Sequence, residues 1–139
     1  MKSFVRSPAL LWAVGLAALV VAPARGDVPP GPCRVLGLWI GTYQSAVNTE
    51  VRGLASLDVT MQGQQRFAGE VALISLVAPG SCRGTVSASC EVTFIDESDM
   101  AMLLAQGEIV GDVMLLDYMV QFRDGRMDRG SLMLIGAPR

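Results

Sequence analysis

The stretch Leu57-Asp58-Val59-Thr60-Met61-Gln62-Gly63-Gln64-Gln65-Arg66-Phe67-Ala68-Gly69-Glu70-Val71-Ala72-Leu73 holds two alternating runs split by a polar turn. In the first, Leu57, Val59 and Met61 alternate with Asp58, Thr60 and Gln62. In the second, Phe67, Gly69, Val71 and Leu73 alternate with Ala68, Glu70 and Ala72. A period of two puts one set of side chains on each face of a strand, so each run predicts a strand with one apolar face. Gln62-Gly63-Gln64 between them predicts a hairpin.

The same pattern recurs down the chain. Val92 and Phe94 share one face, as do Gly130, Leu132 and Leu134. No convincing helical period interrupts it. Further turns are expected at Ala78-Pro79-Gly80, at Ser89-Cys90, at Gly111-Asp112 and at Asp124-Gly125, where Gly and Asp tolerate positive φ. The spacing predicts strands near 35–45, 55–62, 66–75, 82–88, 91–95, 101–110, 113–122 and 126–136. About eight strands joined by hairpins make an all-β, up-and-down antiparallel meander. Closing it into a small β-barrel removes its edges, and eight strands enclose a space filled by side chains or by one small ligand. The longest connection, Ser45 to Leu54, would sit at one mouth. Asp96-Glu97-Ser98-Asp99 matches no calcium loop and reads as a solvated acidic turn.

Residues 1–26 read as a secretory signal peptide. Lys2 and Arg6 precede an apolar run from Ala9 to Val21, and Ala22-Pro23-Ala24 resembles a cleavage site. Residues 27–34 form an extended Pro/Gly leader, and 35–139 the barrel domain. Removal of the signal leaves eight Arg against 13 Asp and Glu, with no Lys. Such an acidic chain is no nucleic-acid binder working through a basic field. It is expected in the periplasm or outside the cell, without spanning a membrane. In that oxidising setting one disulfide is expected among Cys33, Cys82 and Cys90. Three pairings are open. An extended 82–90 would separate those two Cα atoms by about 25 Å, beyond disulfide reach. Cys82–Cys90 thus needs a turn between them, and Cys33–Cys90 needs the start of the first strand beside the turn after the fourth; the latter is favoured, with the spare thiol buried and inert.

Catalysis lacks its usual parts. The chain has no His, hence no ordinary base for a Ser or Cys nucleophile. No P-loop, G-x-S-x-G or G-x-G-x-x-G is present. Neither an enzyme, a metal site nor a cofactor is expected. Seven Met follow the signal, and only Met100-Ala101-Met102 brings two together. Filling the core or lining an adaptable apolar surface is their expected role, rather than binding copper.

Gly37-Leu38-Trp39-Ile40-Gly41-Thr42-Tyr43 opens the folded part, with Gly107-Glu108-Ile109-Val110-Gly111-Asp112 and Gly130-Ser131-Leu132-Met133-Leu134 near its end. These segments resemble small exported bacterial barrels of the calycin kind, the group of lipocalins and avidins. The resemblance implies that Trp39 packs at the closed end, with Arg129 or Arg139 over it. It also implies a ligand held in or at the mouth of the barrel. Trp39, Tyr43, Phe67, Phe94, Asp117 and Tyr118 are the candidate contacts. A single Trp in the mature chain departs from the biotin sites of avidins.

Strand 113–122 is apolar on both faces. Val113, Leu115 and Met119 lie on one side with Asp117; Met114, Leu116, Tyr118, Val120 and Phe122 lie on the other. A barrel needs only one apolar face, so the second points to a partner protein of an envelope assembly or to a second copy. Three functions are therefore expected in contention: a module holding a small apolar ligand, a protein-interaction module (an inhibitor or an accessory subunit) using this face, and a purely structural or stress-protective envelope protein. Edman sequencing of exported material is expected to begin at Arg25 or Asp27; a start at Met1 would refute cleavage.

Overall fold

The computed structural model describes residues 33–137. The signal peptide, most of the leader and Arg139 lie outside the described residues. Eight strands follow one another: β1 (Gly37–Ser45), β2 (Arg52–Gly63), β3 (Arg66–Leu73), β4 (Val77–Val86), β5 (Glu91–Glu97), β6 (Ala101–Val110), β7 (Val113–Phe122) and β8 (Met127–Ala137). Each pairs antiparallel with the next, and β1 pairs with β8, so the sheet is a closed barrel. The ladder from Leu38↔Ala137 to Ser45↔Gly130 seals it.

Alternation sets which side chains enter. Leu57 and Val59, Val71 and Leu73, Val92 and Phe94, and Leu132 and Leu134 are all buried. Large and small residues alternate around the inner wall. One lateral row runs Phe67↔Gly84↔Phe94↔Ala105↔Tyr118↔Gly130. Phe67 and Phe94 meet edge to face at 6.3 Å between centroids. Gly84 makes that possible: a Cβ there would stand 2.7 Å from Phe67 Cζ and 2.6 Å from Phe94 Cβ. A Cβ at Gly41, Gly69, Gly107 or Gly130 would overlap a carbonyl on the adjacent strand, so these glycines permit the tight curvature of a small barrel.

The lower end carries the β2–β3, β4–β5 and β6–β7 turns and is covered by residues 33–36. Val35 is fully buried, and its carbonyl accepts from Trp39 Nε1 at 2.9 Å. The Gln62 carboxamide accepts from Val35 N and Leu36 N and donates to the Cys33 carbonyl. Cys33 and Cys90 form a disulfide, with Cα atoms 5.4 Å apart, which ties this cover to the β4–β5 turn. Cys90 itself has φ 67°, the left-handed conformation that turns the chain there.

Some expectations are corrected. A bulge between Val59 and Met61 shifts the phase of β2, so Met61 turns outward and Gln62 reaches the cover. The turn before β4 falls at residues 74–76, and Ala78-Pro79-Gly80 lies inside β4. Pro79 is tolerated because the β3 register is irregular there and β5 pairs only from Arg83 onward. The long connection shortens to residues 46–51, since β2 begins at Arg52. Asp96 and Glu97 belong to β5, and Asp96 is buried rather than solvated. Of the methionines only Met114 joins the buried core; Met61, Met100, Met127 and Met133 are exposed.

Trp39→Ala is expected to cost about 3–5 kcal/mol, read as a lowered urea midpoint, because the indole fills the space above Gly136. Reducing the Cys33–Cys90 bond, which spans 57 residues, should lower stability by about 2–4 kcal/mol in the same assay.

Candidate functional site

The candidate contacts divide between the inside and the outside of the barrel. Trp39, Tyr43, Phe67, Phe94 and Tyr118 are buried in one core cluster. Trp39 lies toward the lower end, against Gly136, which is its partner on β8. Tyr43 lies toward the upper end, where its hydroxyl donates to the Ile74 carbonyl at 2.6 Å. The Tyr43 and Tyr118 rings meet edge to face at 6.2 Å. Asp117 is exposed on the outer wall and does not join them. Arg129 pairs with Met119, far along β8 from Gly136, so it does not cover Trp39. The cation–π contact occurs elsewhere, with Arg126 at 4.7 Å from the Phe122 ring centroid.

The upper interior holds acids that sequence reasoning missed. Asp128 accepts from Ser45 Oγ at 2.5 Å and from Tyr118 Oη at 2.8 Å. Ser45 Oγ in turn accepts from Val47 N and Asn48 N, which anchors the β1–β2 connection. Burial, followed by the bond to Asp128, pushes the Tyr118 hydroxyl far above the usual phenol range. Burial and the Asp128 charge also raise Tyr43. Both phenols therefore stay protonated, donating to an acceptor, and act as structural groups.

Asp96 differs. It lies on the same lateral row as Asp128, through Leu103 and Val120. It is 2% exposed, and its Oδ1 has no hydrogen-bond partner. Gly80 leaves it room, since a Cβ there would lie 2.8 Å from Oδ2. Desolvation raises its pKa above the ordinary carboxyl value. Cys82, also buried, is pushed up to about 12, first by burial and then by the Asp96 charge. That thiol stays protonated and unreactive at neutral pH. Parity was the available signal: Asp96 continues the inward set Val92 and Phe94, and Asp128 begins the inward set Gly130, Leu132 and Leu134.

The outer wall supplies the other candidate. Outward residues form lateral rows across β6, β7, β8 and β1. One runs Val110↔Val113↔Ile135↔Ile40. The next runs Glu108↔Leu115↔Met133↔Thr42, and Thr42 is followed by Leu54 on β2. Ile40, Leu54, Val110, Leu115, Met133 and Ile135 are all exposed. The second apolar face read on strand 113–122 is thus the centre of a patch that three neighbouring strands extend.

Among the described residues, no group of three or more His, Cys, Asp or Glu is placed to hold a metal ion, and no helix is long and apolar enough to cross a membrane. The closed barrel is compatible with the calycin-like resemblance, and the disulfide with a non-reducing compartment. Compared with protein-family models, curated proteins and solved structures, the chain matches none.

Asp96 binds a proton more readily folded than unfolded, so its contribution to stability is full below pH 3.8 and is lost as pH rises through the raised value. Asp96→Asn is therefore expected to be more stable than the parent at pH 7, with the gap shrinking toward pH 4. Urea unfolding of both proteins at the two pH values checks this.

Proposed function

We propose that the protein is an exported, non-enzymatic protein-interaction module of the calycin-like kind. Its partner docks on the apolar outer wall of β7, β8 and β1. The row Val110↔Val113↔Ile135↔Ile40, with Leu115 and Met133 beside it, carries this reading. Scattered exposed apolar residues are ordinary, but contiguous ones on adjacent strands are characteristic of an interface. The inside supports it too. The core is occupied by Tyr43, Phe67, Phe94, Leu132 and their neighbours, and its polar groups Asp128, Ser45 and Tyr118 are engaged with one another. Export is supported by the signal-like residues 1–26 and by the disulfide. Outward Asp58, Glu70, Arg83 and Glu91 on β2–β5 speak against a membrane-spanning barrel, whose lipid-facing wall is apolar all round.

A second reading keeps a small apolar ligand at the upper mouth. Its support is the exposed Val47, Ile74 and Met100, which stand on three connections of that end. Native mass spectrometry of protein purified from its host separates the two. The parent is expected to carry a stoichiometric protein partner that a Leu115→Ser/Ile135→Ser variant lacks. That variant should keep the parent's melting behaviour, since both positions are exposed. A small-molecule mass retained equally by parent and variant, without a protein partner, would establish the mouth reading instead.

A further inference from the structure

The docking patch has an acidic border on β5, β6, β7 and the β6–β7 turn. Glu108 borders it on β6, and Glu91 on β5 stands directly opposite Glu108, both exposed. Asp112 lies in the β6–β7 turn below the patch. Asp117 lies above it, between Gln106 and Ser131. Like charges directly opposite on one sheet face repel, so the Glu91–Glu108 pair works against the fold. Among the described residues, no ion pair joins Glu91, Glu108, Asp112 or Asp117; Arg83 pairs with Glu97 and Arg126 with Asp124. Of the cations on the outer rows, Arg52 stands at the β2 end of the Asp117 row, opposite Gln44 and across the patch from these acids, and Arg129, opposite Met119, lies beyond that row.

From this arrangement we infer that the partner is a cationic polypeptide surface, with an apolar centre flanked by Arg or Lys. The inference rests on the docking reading above and adds the partner's charge class. An apolar centre gives adhesion without direction, whereas an acidic frame selects by sign and speeds encounter with a basic partner. The same frame disfavours two other occupants. A second copy would bring its own acids against these. An anionic membrane surface would be repelled.

The test uses the full exported chain and a labelled short peptide, Leu-Ile-Trp-Ile-Leu, flanked at both ends by Arg-Arg, Ser-Ser or Glu-Glu. Fluorescence anisotropy is read at low and at high salt. The parent is expected to bind the Arg-flanked peptide on the order of tenfold tighter than the Ser-flanked one at low salt, with the margin closing as salt rises. The Glu-flanked peptide should bind weakest. A Glu91→Gln/Glu108→Gln/Asp112→Asn/Asp117→Asn variant should bind the Arg- and Ser-flanked peptides alike. Leu115→Ser/Ile135→Ser should lose both. Equal affinity of the parent for both peptides, with loss in the apolar variant, would overturn the charge class and leave the docking face standing. Binding that ignores the apolar variant, or no binding of any peptide, would overturn both. Sedimentation showing a low-salt dimer that the apolar variant abolishes would assign the patch to a second copy and overturn the cationic partner.

Discussion

The ladder between β1 and β8 is the constraint from which the rest follows. It joins the first strand to the last, so no strand keeps an open edge and every strand acquires an inside. An inside this narrow cannot take a large side chain from every strand at one level. Bulk must alternate with its absence, and the row through Phe67, Gly84, Phe94, Ala105, Tyr118 and Gly130 does so. The glycines are thus as much a part of the core as the aromatics. Gly136 beneath Trp39 and Gly84 between two phenylalanines are the negative shapes of their neighbours.

The two ends of the barrel are finished differently. The lower end is sealed by apolar contact and by backbone groups bound to Gln62, with the disulfide holding the cover in place. The upper end is finished by side-chain polar groups. Asp128 gathers Ser45 and Tyr118, and Ser45 passes the connection on to the β1–β2 loop. Asp96, on the same row, carries an oxygen that no group among the described residues satisfies. A buried network is worth most when every member is paired, so one acid fastens the upper end while the other strains it.

Outside, the wall is uneven by design of the sequence rather than by accident of closure. Outward Asp58, Glu70, Arg83 and Glu91 on β2–β5 are charged, whereas the two lowest outward rows of β7, β8 and β1 hold Val113, Leu115, Met133, Ile135 and Ile40. Closure asks nothing of these residues. Apolar side chains left in water, bordered by acids that repel each other across strands, are features that the fold does not need. They are the ground of the proposed docking face.

Strand periodicity was legible because period two is a local property of the chain. Runs of it, cut by turns such as Gln62-Gly63-Gln64, Gly111-Asp112 and Asp124-Gly125, place most strands to within a few residues, whereas Pro79 and Gly80 read as a turn and displaced the start of β4. Cys33–Cys90 was the preferred one of three pairings the sequence left open, and the structure forms it because the cover at Cys33 lies beside the β4–β5 turn. The second apolar face of strand 113–122 could also be read directly. Asp96 and Asp128 were not, because a charged residue near a strand end resembles a turn until its phase is known. Met61 was misplaced because a bulge, invisible in composition, reverses phase. Local alternation and turn chemistry dictated the number of strands and which residues could face inward. Which strands became lateral neighbours, and therefore which isolated apolar and acidic residues became one framed surface, depended on ring closure, since rows across a sheet join residues that are far apart along the chain.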